Sequence, residues 1–150
     1  MVVAELNGEE ARNVANSLKT AGGRAEAVPL DVTKEEDVRG LVDETAAKNG
    51  ELDYIFNNAG IGISGEVQDM DLDHWKRIVD VNQWGVLYGT LAAYKVMLEQ
   101  GSGHIVNTAS SAGLVPSPLL TAYSMTKHAV VGLSTGLRAE GAALGVKVSV

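Results

Sequence analysis

Tyr123 and Lys127 stand four residues apart, a spacing that puts two side chains on one face of a helix. A free phenol has a pKa of about 10 and is a poor base near neutrality. A neighbouring cation favours the phenolate, so the pair suits proton exchange with a substrate hydroxyl or carbonyl. The same pattern arises by chance in ordinary helices and gains meaning only from its surroundings. Ser110 lies thirteen residues before Tyr123, in a Ser- and Gly-containing stretch. Its hydroxyl either holds a substrate oxygen against Tyr123 or caps a turn, as serines commonly do. Asn82 falls inside a long helical pattern, where Asn is intrinsically disfavoured. It either faces solvent or presents its amide to a water beside Lys127.

The elements that must position these residues alternate along the chain. Apolar runs at Val2–Glu5, Ala25–Leu30, Leu52–Phe56 and His104–Asn107 read as strands, and Val146–Val150 begins a fifth. Asn7 with Glu10, and Thr33 with Glu36, have the spacing of capping boxes. Behind the first, Ala11, Val14, Ala15 and Leu18 recur at helical spacing, and Gly22-Gly23 ends the helix. Behind the second, Val38, Leu41, Val42 and Ala46 do the same, and Asn49-Gly50 stops it. A long helix is predicted from Asp73 to about Glu99, its stripe formed by Ile78, Val81, Val86, Leu87, Leu91 and Val96 or Met97. A last helix is predicted over Ala122–Leu144, with Gly145 past its end. Strands alternating with helices imply a parallel, doubly wound sheet with helices on both faces. Ligands of such sheets sit at the carboxyl ends of the strands, here just after residues 5, 30, 57 and 108.

Composition narrows the classes. At 150 residues one domain is expected, and 45% hydrophobic with 21% charged residues argues against disorder. The absence of cysteine excludes disulfides, thiolate metal sites and cysteine nucleophiles. The net charge is −7 and uneven: residues 1–80 carry 17 acids against 8 bases, residues 81–150 carry 2 against 4. No basic patch suggests a nucleic-acid partner. No apolar run approaches the ~18 residues of a membrane span, and the first residues lack a basic leader. A soluble, cytoplasmic protein is the expectation.

Gly60, Gly62 and Gly65 spell G-x-G-x-x-G after a predicted strand, with Asp80 downstream, the spacing of a dinucleotide fingerprint. No helix begins immediately after it to offer an N-terminus to a pyrophosphate. A tight turn over a ligand cleft is the preferred reading of the residues, and a phosphate cradle the alternative.

Asn57-Asn58-Ala59-Gly60, Asp80-Val81-Asn82, Ile105-Val106-Asn107 through Ser110, and Tyr123-Ser124-Met125-Thr126-Lys127 together resemble the classical short-chain dehydrogenase/reductases, in order and in spacing. Asp31-Val32 also matches, and the resemblance covers essentially the whole chain. It implies an incomplete Rossmann-like α/β fold and hydride transfer between a nicotinamide and a secondary alcohol or ketone. Tyr123 would be the general acid/base, and Lys127 would lower its pKa and hold the nicotinamide ribose. Ser110, favoured over Ser111 by its spacing to Gly113, would orient the substrate oxygen. Asn82 would hold a proton-relay water. Asp31 and Val32 match positions at the adenine, and Asn58, Ala59 and Gly60 match the loop along the cofactor, while Asn57 supports the sheet. Glu5, at the end of the first strand, would accept hydrogen bonds from the adenosine ribose and repel a 2′-phosphate, which favours NAD over NADP.

The resemblance also exposes gaps. The family's Thr-Gly-x-x-x-Gly-x-Gly segment, its first strand and its last strands have no counterpart here. A family sheet of order 3-2-1-4-5-6-7 would lack its strand 1, leaving a hole between two groups of strands. Three outcomes are open: the sheet closes up in a changed order, a partner fills the hole, or the chain is part of a longer enzyme. The last is the expectation. The alternative function is an inactive or partner-binding remnant. The long helices resemble those that pair family subunits into homodimers or homotetramers.

Overall fold

The computed structural model describes residues 1–150. In chain order it contains β1 (Val2–Glu5), α1 (Gly8–Thr20), β2 (Glu26–Pro29), α2 (Glu35–Asn49), β3 (Tyr54–Asn57), α3 (Leu72–Val79), a π-helical turn (Asp80–Trp84), α4 (Gly85–Gln100), β4 (Gly103–Asn107), α5 (Thr121–Gly141) and β5 (Val146–Ser149). A 3-10 turn, Ser111–Gly113, stands between β4 and α5, and another, Ala142–Leu144, continues α5.

Local chemistry accounts for most boundaries. Asn7 caps α1, its Oδ1 accepting from the N–H groups of Glu9 and Glu10. Gly50 closes α2 at φ 82° and Gly101 closes α4 at φ 71°, left-handed geometries that a residue without a Cβ adopts cheaply. The start of α2 departs from expectation. Its cap position is Lys34, which makes no side-chain cap bond. Thr33 instead gives its N–H (3.0 Å) and hydroxyl (2.8 Å) to Asp31 Oδ1. An Asx turn competes successfully for the residue that would have capped the helix.

The long helix expected over 73–99 is divided in two by the π turn, in which the Gly85 N–H bonds to the Asp80 carbonyl, five residues back. A π turn inserts one residue and rotates everything after it. The buried face of α4 is therefore Val86, Gly89, Thr90, Ala93 and Met97, and Leu91, expected in the stripe, is 55% exposed. Likewise α5 is α-helical only to Gly141, and the remaining residues expected in it tighten into the 3-10 turn.

All strand pairs are parallel. β1 pairs with β2, Val2 opposite Glu26. β3 pairs with β4, Tyr54 opposite His104, and β4 with β5, Gly103 opposite Val146. The two groups form separate sheets, β1-β2 and β3-β4-β5. The hole is thus present: the sheet does not close up, and β1 and β3 each leave an edge unpaired. The architecture is an incomplete Rossmann-like fold of parallel sheets flanked by helices. Val42, Leu52, Ala93, Met97, Ile105, Val146 and Val148 form the apolar core, with Ile55 packed against it. On the opposite face of the three-stranded sheet Tyr54 and Phe56 are 58% and 65% exposed, their rings stacked at 6.1 Å.

A buried polar cluster fixes the strand ends below the site. Asn57 donates through Nδ2 to Asn107 Oδ1 (2.8 Å) and Thr90 Oγ1 (3.2 Å), and Asn107 Nδ2 donates to Ser134 Oγ (3.0 Å). Ser134 Oγ donates in turn to the Val130 carbonyl at 2.7 Å. One residue each from β3, α4, β4 and α5 is thereby locked in register, and no buried polar side-chain atom lacks a partner. A Cβ at Gly89 would run into Asn57 Oδ1, so the helix comes this close only because position 89 has no side chain.

Candidate active site

Immediately after Asn57 and Asn107 the two strands end in Asn58 and Thr108. Thr108 Oγ1 donates to Asn58 Oδ1 at 3.0 Å, which ties the two loops together. The Thr108 carbonyl accepts from Lys127 Nζ at 2.7 Å. Lys127, 3% exposed, is thus an ammonium on α5 aimed at the end of β4. Burial holds its pKa below the ordinary lysine value. Its Nζ lies 5.6 Å from the centre of the Tyr123 ring, as expected of an i, i+4 pair on one helix face. Both side chains line a cavity of about 360 Å³ together with Asn58, Gly60, Ile61, Gly62, Thr108, Ala109 and Leu120.

The loop carrying Ser110 is held against the same helix. Gly113 packs so closely that a Cβ there would fall 2.7 Å from the Lys127 carbonyl oxygen. Ser124, next to Tyr123, donates its hydroxyl to the Ala112 carbonyl at 2.5 Å. Ser110 caps the turn, its Oγ accepting from the Ala112 N–H at 3.2 Å. The capping role weighed for this serine is therefore realised. It leaves the hydroxyl hydrogen free to donate. Ser110 is not among the cavity-lining residues.

Asn82 does not face solvent. It is fully buried, turned inward by the π turn. Its Oδ1 accepts from the Ile61 N–H (2.7 Å), and its Nδ2 donates to the Ile61 carbonyl (2.8 Å) and to Thr126 Oγ1 (3.3 Å). Both amide hydrogens are therefore committed, and a water at this side chain would have only an oxygen lone pair to use. A Cβ at Gly60 would sit 3.3 Å from Asn82 Oδ1 and 3.6 Å from Lys127 Nζ, so the Gly60 loop lies directly against both.

The remaining expected residues are not gathered at this cavity. Glu5 is exposed at the end of β1, its Oε1 accepting from the Asn7 N–H at 3.2 Å. Asp31, at the end of β2, is occupied by Thr33, whose N–H and then hydroxyl hold its carboxyl below the usual range. Val32 packs on α4: a Cβ at Gly85 would come within 2.9 Å of its Cγ2. Ala59 is exposed in the loop between. The sequence reading missed Thr108, Ile61, Gly113 and Thr126 as parts of the site. The first two act largely through backbone atoms, which every residue type carries. Gly113 had entered only as a spacing marker for Ser110. No group of three or more His, Asp or Glu side chains is placed to hold a metal ion, and no helix is long and apolar enough to cross a membrane.

A buried ammonium, a phenol, an amide and a glycine loop face one cavity, a donor set that fits a polar nucleotide cofactor. Comparison with known proteins finds relatives among oxidoreductases. An uncharacterized oxidoreductase of Staphylococcus aureus (strain MRSA252) is 42% identical over 149 residues, 99% of this chain and 64% of that protein. The crystal structure of an NAD+-bound xylitol dehydrogenase superposes with a TM-score of 0.94 at 33% identity, covering 99% of this chain and 58% of the other. A gluconate 5-dehydrogenase from Burkholderia cenocepacia J2315, in complex with NADP and tartrate, gives 0.91 at 31%, covering 98% and 58%. The chain thus spans about three fifths of the length of these relatives. The family model described as short chain dehydrogenase matches residues 1–150, and the chain belongs to that family.

Proposed function

We propose that this chain carries the proton-transfer site of a nicotinamide-dependent oxidoreductase that interconverts a secondary alcohol and a ketone. The observation that carries the reading is the Tyr123–Lys127 pair, its ammonium buried and 5.6 Å from the phenol ring, on the wall of a cavity also lined by Asn58 and Gly60. Asn58, Ala59, Gly60 and Lys127 would hold the nicotinamide half of the cofactor, and Glu5, Asp31 and Val32 the adenosine half. When bound, the nicotinamide supplies the hydride acceptor or donor. The chain's own residues handle the proton. In the oxidative direction Tyr123 Oη accepts the proton of the substrate hydroxyl as the carbonyl forms, and in the reductive direction it returns it. Lys127, fixed by the Thr108 carbonyl, stabilises negative charge on the phenol oxygen. Ser110 donates its free hydroxyl hydrogen to the substrate oxygen. Asn82 holds the Gly60–Ile61 loop against α5 and borders the path of a relay water.

NAD is the preferred cofactor on the strength of Glu5, an exposed acid at the end of β1 with one local backbone partner; a 2′-phosphate there would meet a like charge. Exposed Trp84 at the end of the π turn, with Leu91 and Leu98 on α4, supports assembly into a homo-oligomer. One observation favours a second reading, a chain that binds a partner without catalysis: β1 and β3 each leave an edge unpaired.

The deciding experiment is an NAD-reduction assay over a panel of secondary alcohols. Tyr123→Phe should lower turnover by about 10²–10⁴-fold with an unchanged melting temperature. Turnover equal to that of the unmutated chain would sink the assignment, and no turnover even with the family's glycine segment and later strands joined to the chain would favour the second reading.

A further inference from the structure

Thr126 sits between the catalytic pair in sequence and is fully buried, yet nothing in the proton chemistry uses it. Its hydroxyl has two partners on two elements. It donates to the Tyr123 carbonyl on its own helix at 2.7 Å and accepts from Asn82 Nδ2 at 3.3 Å. A hydroxyl whose hydrogen is committed to a carbonyl can only accept from a second partner, and this dictates which end of the Asn82 amide faces it. With Nδ2 turned to Thr126, Oδ1 is left to accept from the Ile61 N–H, and the second Nδ2 hydrogen reaches the Ile61 carbonyl. Reversing the amide would leave Oδ1 facing a lone pair and Nδ2 facing an N–H, each costly in a buried place.

We propose that Thr126 is a positioning residue that acts through Asn82: its hydroxyl orients the Asn82 amide and thereby sets the Gly60–Ile61 loop at its working distance from Tyr123 and Lys127. The proposal rests on the functional reading above for the meaning of that distance, but not for its physical content. The chain of contacts runs from the first turns of α5, through the π turn, to the loop that lines the cavity opposite the catalytic pair. Thr126 has no other polar neighbour to serve, and Lys127, the next residue, is held separately by the Thr108 carbonyl. The hydroxyl therefore adds a link between the loop and α5 beside the one that runs through Asn58 and Thr108.

The test is amide hydrogen exchange at Ile61 in the full chain, read by NMR. Thr126→Val keeps the shape and removes the hydroxyl; Thr126→Ser keeps the hydroxyl. Val should speed Ile61 exchange by about tenfold, the scale of a lost buried hydrogen bond, while exchange in β4 and β5 stays as it was. Ser should restore the slow rate. In an Asn82→Ala background, where the Ile61 N–H has already lost its acceptor, Thr126→Val should add nothing at Ile61. Unchanged exchange in Thr126→Val, or a further tenfold rise on top of Asn82→Ala, would overturn the proposal. This readout needs no turnover, so an inactive chain would count against the functional reading and leave this test to decide the present one.

Discussion

At the ends of β3 and β4 the side chains reach across to other elements; at the ends of β1 and β2 they turn back on their own backbone. Asn57 and Asn107 bond to each other and to α4 and α5, and Asn58 and Thr108, one step on, are joined in the same way. The Glu5 carboxylate accepts only from Asn7, and the Asp31 carboxylate only from Thr33. The two groups of strands belong to one family fold, but only one of them has its strand ends cross-linked by side chains. That division matches the chemistry proposed for each. Proton transfer depends steeply on placement, whereas an adenosine can be held by separate, tolerant contacts.

The sharpest way to break this comparison is at Gly89. A Cβ there would collide with Asn57 Oδ1 and either push α4 off the sheet or tear Asn57 from Asn107. Gly89→Ala should destabilise by about 3 kcal/mol, at the upper end for overpacking, read as a shift in the urea midpoint. A loss below about 0.5 kcal/mol would mean that the β3–β4 end yields as easily as the other. The matched change at the looser end is Gly8→Ala, where the new Cβ would meet the Pro29 ring at 3.0 Å and the flexible Arg12 side chain at 3.5 Å; it should cost well under half as much.

Lys127 gives the comparison a pH signature. Burial disfavours its charged form in the folded chain, so its folded pKa lies below its unfolded one. Between those two values the unfolded chain binds the proton that the folded chain has released, and stability rises with pH. The melting temperature of the unmutated chain, taken relative to Lys127→Met, should therefore climb as pH is raised toward the ordinary lysine range. A difference that stays flat from pH 7 to 11 would show that the ammonium is not held in a dry place.

How far this could be read in advance differs between the two regions for a physical reason. Tyr123–Lys127, the strands and most helix ends are legible because periodicity and capping are local. The π turn is not. One inserted residue leaves the apolar residues still spaced much as in a helix, so Leu91 looks buried while Thr90 and Ala93 hold the true face. Asn82 was noticed for its rarity in a helix, but its partners, Ile61 and Thr126, are distant in sequence and ordinary in type. Thr33 was misread as a cap because Asp31, two residues before it, competes for the same donor groups. Sequence patterns report which element a residue occupies, and long-range polar contacts such as Asn57–Asn107, fifty residues apart, leave no periodic trace.

The cap of α1 should behave as an isolated, additive contact. The Asn7 side chain accepts from two N–H groups of its own helix and makes no other hydrogen bond. Asn7→Ala should cost about 1 kcal/mol and leave the Tyr123 cavity untouched. Chemical-shift changes reaching Asn58 or Thr108 would show that the two ends are coupled after all.

The smallest effect is expected at Glu5, and it is the one that bears on cofactor choice. The carboxylate is exposed, so its repulsion of a 2′-phosphate is screened by water and salt. A single exposed charge contributes at most about 1 kcal/mol, which corresponds to roughly fivefold in an affinity ratio. Glu5→Gln keeps the shape and the ability to accept from Asn7 while removing the charge. The ratio of NAD to NADP in kcat/KM should fall by about that factor, with kcat for NAD and the melting temperature unchanged. A larger swing would mean that Glu5 is pressed into a closed site when the cofactor binds, and the contrast between a rigid proton-transfer end and a tolerant adenosine end would narrow. No change in the ratio would remove Glu5 from the ribose contact and leave the preference for NAD without a residue to support it.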